Sequence, residues 1–200
     1  MELDTTVRNL FRLTLAFVLT TSLPVIPVAA QSITPGPPGP FVFDIRGATS
    51  GIPSSDALFP DLAVGELVPT RGFGGSIGGH VYAIQIGPTR LGFGADVMLV
   101  RGSTSGVSST FLSVDPQLSL NFGTSEGWSY LSAGVGPARV NGNPAGVSDT
   151  VRAINWGGGA RWFLGPHFGV GFDVRVHNLA ASAVLPKATA LSVAVGISMK

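Results

Sequence analysis

The sequence predicts an all-β protein, an eight-stranded antiparallel up-and-down transmembrane β-barrel. Three observations predict it. Apolar residues alternate with small or polar ones at period two over stretches of about ten residues from Phe41 onward, with no helical stripe among them. The connections between these stretches alternate between short and long, which suits a barrel with tight turns at one end and loops at the other. Charge is scarce: 12 Lys and Arg and 11 Asp and Glu make up 12% of the 200 residues, about half the usual share of ~25% for soluble domains. Glycine is abundant at 28 residues. A net charge of +1 leaves no basic surplus for nucleic acid. The absence of cysteine excludes disulfides, thiolate metal sites and a lipid-modified cysteine anchor.

The elements follow in chain order. Residues 1–30 read as a signal peptide: Arg8 and Arg12 precede the uncharged run Leu13–Ala30, which ends Val28-Ala29-Ala30, a small-residue cleavage pattern. Pro24 and Pro27 oppose a membrane helix there. Residues 31–40 (QSITPGPPGP) form an extended tether, and 41–200 form the barrel. Four strands alternate cleanly: Leu91–Val100, Phe111–Phe122, Phe168–His177 and Leu191–Met199. Four are looser: Phe41–Ser50, Phe73–Ile86, Trp128–Val140 and Val151–Leu164. Strands of this length, tilted by about 40°, rise roughly 25–35 Å, enough for an apolar band. Pro116 and Pro137 fall inside strands, where bulges are expected to absorb them.

The short connections are Gly87–Thr89, Thr124–Gly127 and Gly165–His167. The long ones are Gly51–Gly72, Arg101–Thr110, Asn141–Thr150 and Ala181–Thr189. Opposed residues of a hairpin share a face, which predicts register. Centring the second tight turn at Ser125 and Glu126 sets Asn121 against Tyr130, Ser119 against Ser132, Gln117 against Gly134 and Asp115 against Gly136. Centring the first on Pro88 sets His80 against Asp96, and centring the third on Pro166 sets Arg161 against Gly171.

Alternation alone also fits a soluble periplasmic calyx with its apolar face inward. The composition of the second face decides against it. That face holds mostly Gly, Ser and Ala with single Asp and Arg residues, too few charges for a water-facing sheet. Small residues suit a narrow eight-stranded lumen. The large apolar side chains therefore point to lipid. Phe122, Trp128, Trp162 and Phe168, with Phe41 and Phe163, lie near the tight-turn end and read as an aromatic girdle. Phe73 and Phe111 mark the opposite rim, and Trp156 lies deeper.

The stretch Gly157–His177 (GGGARWFLGPHFGVGFDVRVH) joins a small-residue strand, an aromatic pair, a tight turn and a strand ending in Asp-x-Arg. With these features the chain, from about Phe41 to Lys200, resembles the small eight-stranded outer-membrane barrels of the OmpA type, the outer membrane protein β-barrel domain family of Gram-negative bacteria. The resemblance implies export to the cell outer membrane, contact with its lipids, and insertion by the barrel assembly machinery. Such barrels usually end in an aromatic residue that this machinery reads, whereas this chain ends Ile197-Ser198-Met199-Lys200.

Asp44, Arg46, His80, Asp96, Asp115, Arg161, Asp173 and Arg175, with His177, fall on the inward face. Buried charges must be paired, so Arg46, Arg161 and Arg175 are expected to pair with the four aspartates and fill the lumen; an ion path is the rival reading. No catalytic residue, metal or cofactor is assigned. His80 with Asp96 and Ser76 has the composition of a hydrolytic site without other support, and three histidines on separate segments lack metal-ligand spacing. The glycine clusters lack the form of a phosphate loop. The Gly51–Gly72 loop, with Leu58, Phe59, Leu62, Val64 and Leu67, either covers the lumen mouth or meets an extracellular partner. The expected role is structural, adhesive or loop-displaying. A narrow pore for small solutes is the alternative, followed by a lipid-modifying barrel enzyme.

Overall fold

The computed structural model describes residues 38–62 and 67–200. The signal peptide, residues 31–37 of the tether and Val64 lie outside the described residues. Eight strands follow one another: β1 (Phe41–Gly51), β2 (Arg71–Ile86), β3 (Thr89–Thr104), β4 (Val107–Gly123), β5 (Gly127–Asn143), β6 (Ser148–Phe163), β7 (Phe168–Leu179) and β8 (Ala188–Met199). Each pairs antiparallel with its sequence neighbours, and β8 returns to β1, closing an up-and-down barrel without an exposed edge. A one-residue slip would exchange the two faces of a strand, and burial alternates along most of each strand, with one register shift, between Val81 and Ile84 of β2. Val97, Leu118, Val174, Val195 and their like are exposed on the outer wall, while Asp44, Asp96, Asp115, Asp173, Arg46, Arg161 and Arg175 are buried within. This inversion of a soluble protein is what a hydrocarbon surround requires.

Four features depart from the sequence reading. Arg101–Thr110 and Asn141–Thr150 are not long loops. β3 and β4 run on to a two-residue turn at Ser105 and Gly106, with φ of 48° and 83°; positive φ at both central positions gives the twist that matches a hairpin. β5 and β6 likewise continue to a short turn between Asn143 and Ser148. Only 52–70 and 180–187 remain as long connections at that end.

In the first hairpin, His80 opposes Gly94 and Asp96 opposes Gly78. The turn is Gly87-Pro88, and a register shift between Val81 and Ile84 moves the pairing further. The second and third hairpins have the expected register, Asn121 with Tyr130 and Arg161 with Gly171.

Pro116 and Pro137 do not sit in bulges. Pairing between β4 and β5 stops at Ser113 with Ala138 and resumes at Gln117 with Gly134 in unchanged register. Both prolines lie in this one gap, where neither offers an N–H to the ladder.

The fourth departure concerns the lumen, which is not small and ionic throughout. Toward the long-loop end its wall carries Met98, Val100, Phe111, Val140 and Val151. Leu58 and Phe59 from the first loop and Leu185 from the last enter the mouth and pack against them. The two loops are tied by a hydrogen bond from Ser55 Oγ to the Val184 carbonyl, 2.5 Å. At the other end Val42, Tyr82 and Trp128 form a second apolar cluster, with Phe163 against it.

Candidate functional site

Between the two apolar plugs lies an ionic layer. Period-two geometry brings it together: Asp44 and Arg46 on β1, Asp96 on β3, Arg161 on β6, and Asp173 and Arg175 on β7 all point inward. Asp44 is its centre. Arg161 donates to it through Nε at 3.0 Å and Nη2 at 2.7 Å. Arg46 approaches the same carboxylate at 2.5 Å, and Ser198 Oγ donates at 2.6 Å. Arg46 also reaches Asp96 at 3.3 Å. Arg175 donates to Asp173 at 3.0 Å, to Gln117 at 2.7 Å and to Asn155 at 2.9 Å. The Tyr130 hydroxyl donates to Asp173 at 2.7 Å, and the Arg161 guanidinium lies 3.9 Å from the Tyr130 ring centre.

Two inward residues depart from the expected pairing. Asp115 meets no arginine; it accepts from Asn155 at 2.9 Å and faces His177 Nδ1 at 3.7 Å. His80 is not paired with Asp96, because the shifted register separates them, and neither ring nitrogen has a hydrogen-bond partner among the described residues.

Glycines make room for this layer. A Cβ on Gly159 would lie 2.8 Å from the Tyr130 hydroxyl, and one on Gly157 would lie 2.8 Å from the Arg175 Cα. The Gly157-Gly158-Gly159 run thus has a steric cause, close approach at the wall.

The sequence reading missed one constellation. His177 Nε2 lies 3.3 Å from Ser192 Oγ while Nδ1 faces Asp115. Ser192 Oγ also donates to the Arg175 carbonyl at 3.3 Å, all three side chains are buried, and the Phe111 ring meets His177 edge-on at 5.6 Å. The order serine, histidine, acid resembles a nucleophilic triad, but the serine is closed off from a substrate. Among the described residues no three His, Asp or Glu side chains are grouped to hold a metal ion.

The aromatic assignments need correction. Phe122, Trp162 and Phe168 face outward, as does Phe41. Trp128 does not: it is 1% exposed. It shares the face of Tyr130 and Ser132, so its parity sends it into the lumen, against Phe163 at 4.7 Å and Tyr82 at 6.2 Å. Phe111 also turns inward and does not mark a rim. Lys200 passes beneath this mouth, its Nζ 3.9 Å from the Phe163 ring centre and bonded to the Ser125 carbonyl.

The chain matches no protein-family profile and no curated protein sequence. Solved structures do match. Neisserial surface protein A superposes with a TM-score of 0.58 at 16% identity, over 81% of this chain and 97% of that one. Ail, the attachment invasion locus protein of Yersinia pestis, in complex with the heparin analogue sucrose octasulfate, superposes with a TM-score of 0.53 at 11% identity, over 80% and 96%. The fold is that of the small eight-stranded outer-membrane β-barrels.

Proposed function

We propose that the protein is a plugged outer-membrane scaffold, exported through a cleaved signal peptide, inserted by the barrel assembly machinery, and oriented with its long-loop end outside the cell. Its role in this reading is structural or adhesive: a rigid wall that presents the 52–70 and 180–187 loops and the two hairpin turns beside them. One observation carries it. The Arg161–Asp44–Arg46–Asp96 chain of ion pairs crosses the lumen between two apolar plugs, so solutes meet a filled interior. Single-channel recording in a planar bilayer tests it. The expected record stays at leak; steady conductance well above leak overturns the plugged reading.

A narrow permeation path is the second reading, and one observation favours it. Buried polar atoms of His80, Gln117, Asn121 and Arg161 have no hydrogen-bond partner among the described residues. Such groups are commonly hydrated, and a hydrated stretch could become a path if the plugs moved. The same recording separates the two readings.

A further inference from the structure

Eight arginines lie on the strands, and they divide by face. Arg46, Arg161 and Arg175 are buried in the lumen, and Arg90 is half-buried at the short-turn end on the face of Gly92. Arg71, Arg101, Arg139 and Arg152 are exposed on the outer wall, on the faces of Phe73, Leu99, Val135 and Ile154. All four stand at one rim, each within four residues of a strand end on the long-loop side. No aspartate or glutamate shares that face of the strands, and none of the four forms an ion pair among the described residues. Their partners are neutral: Arg101 donates to Ser108, and Arg139 donates to Asn141 and Ser148.

The register arranges them in two couples. Phe73 opposes Arg101, so Arg71 is the diagonal neighbour of Arg101. Pro137 opposes Arg152, so Arg139 is the diagonal neighbour of Arg152. Diagonal neighbours on one face stand about 7–8 Å apart at the backbone, a spacing from which two guanidinium groups can converge on one phosphate. β4 separates the couples, placing them about 10 Å apart at two strand spacings. Thr110 opposes Arg101 and Thr150 opposes Arg139, adding hydroxyl donors along the arc. Elsewhere on the outward face of this rim stand Thr49, which bonds the Gly72 carbonyl, and Thr189, which bonds Asn178; Asp149 lies on the opposite, inward parity of β6 and accepts from Ser182.

An anion held on this arc stands directly over the apolar wall. Further down β4, β5 and β6, a hollow of about 370 Å³ opens on that wall, lined by Leu118, Leu131, Ala133 and Trp156. Its apolar lining suits a hydrocarbon chain.

We infer that the outward arc of Arg71, Arg101, Arg139 and Arg152 binds an acidic membrane lipid carrying two phosphoryl groups on its headgroup, with one chain in the hollow below. The inference rests on the membrane reading above. A soluble polyanion would use the charges and leave the adjoining wall and hollow unengaged.

The test begins with vesicle flotation of the full-length purified protein. Failure to float with vesicles, or solubility without detergent, overturns the membrane reading and this site with it. For protein that inserts, native mass spectrometry measures retention of three probes: diphosphoryl lipid A, its monophosphoryl form and its fully dephosphorylated form. At about fivefold per arginine beside an anionic headgroup, the diphosphoryl form is expected to be retained at least tenfold over the dephosphorylated form, with the preference falling as salt rises. R71Q/R101Q and R139Q/R152Q should each lower it fivefold or more, and the quadruple variant should abolish it. K187Q, in the last loop, should leave it unchanged. Heat-modified gel mobility confirms that each variant is folded, and the salt dependence of the unaltered protein provides an independent readout. Equal retention of the three probes, or a preference surviving in the quadruple variant, overturns the inference. So does arginine-dependent binding of sucrose octasulfate in detergent without any lipid preference, which would assign the arc to soluble polyanions.

Discussion

Asp44 holds two arginines, and their dependence on it is unequal. Arg46 keeps Asp96 at 3.3 Å if Asp44 loses its charge, but Arg161 keeps only the Tyr130 ring. A buried guanidinium without a counter-charge is costly, so Asp44→Asn should destabilise the barrel by about 3–5 kcal/mol. Ser198→Ala, which removes one hydrogen bond to the same carboxylate, should cost about 1 kcal/mol. Adding Arg161→Met to Asp44→Asn should recover most of the loss. Urea unfolding in lipid vesicles, read by gel mobility, measures all three; an additive double variant would reject the coupling. At this scale period two was informative, because it placed every one of these charges inward. It also contained the answer for Trp128, which shares the parity of Tyr130. Position near a turn suggested a girdle, whereas parity decides direction. The partner of each charge was not legible, since contacts across a lumen join residues up to 117 positions apart and obey no local rule.

Among the elements, the strands were legible and their ends were not. The run Gly102-Ser103-Thr104-Ser105-Gly106 has the composition of a loop, yet all but its last two residues extend β3. Turn chemistry distinguishes these cases only at Ser105 and Gly106, where φ is positive. The register shift near Val81 left no clear mark in the sequence either. The first loop shows a different limit: its apolar residues suggested a lid or a partner surface, and the folded chain buries Leu58 and Phe59 in the mouth. Phe59→Asp places a charge in that cluster and should release residues 52–70 while the strands stay paired. Hydrogen exchange tests this. Fast exchange in the loop with protected strands is the expected pattern; loss of protection throughout would show that the lid belongs to one cooperative unit with the wall.

For the molecule as a whole, the sequence conveyed the inversion of polarity but not its layering. An ionic middle between a large apolar mouth and a smaller apolar floor emerges only when Met98, Val100, Phe111 and Val140 converge with the lid. The wall itself is uneven around its circumference. β1 meets β8 only from Phe43 to Ser50, the shortest of the eight strand pairings, whereas β3 meets β4 along Thr89 to Thr104. This pairing also unites the first and last strands of the chain. Tension applied to both ends should therefore concentrate on it. In a single-molecule pulling experiment on the membrane-inserted protein, the barrel should unzip there first, peeling β8 or β1 before any other strand. Initial rupture between interior hairpins would place the weak line elsewhere.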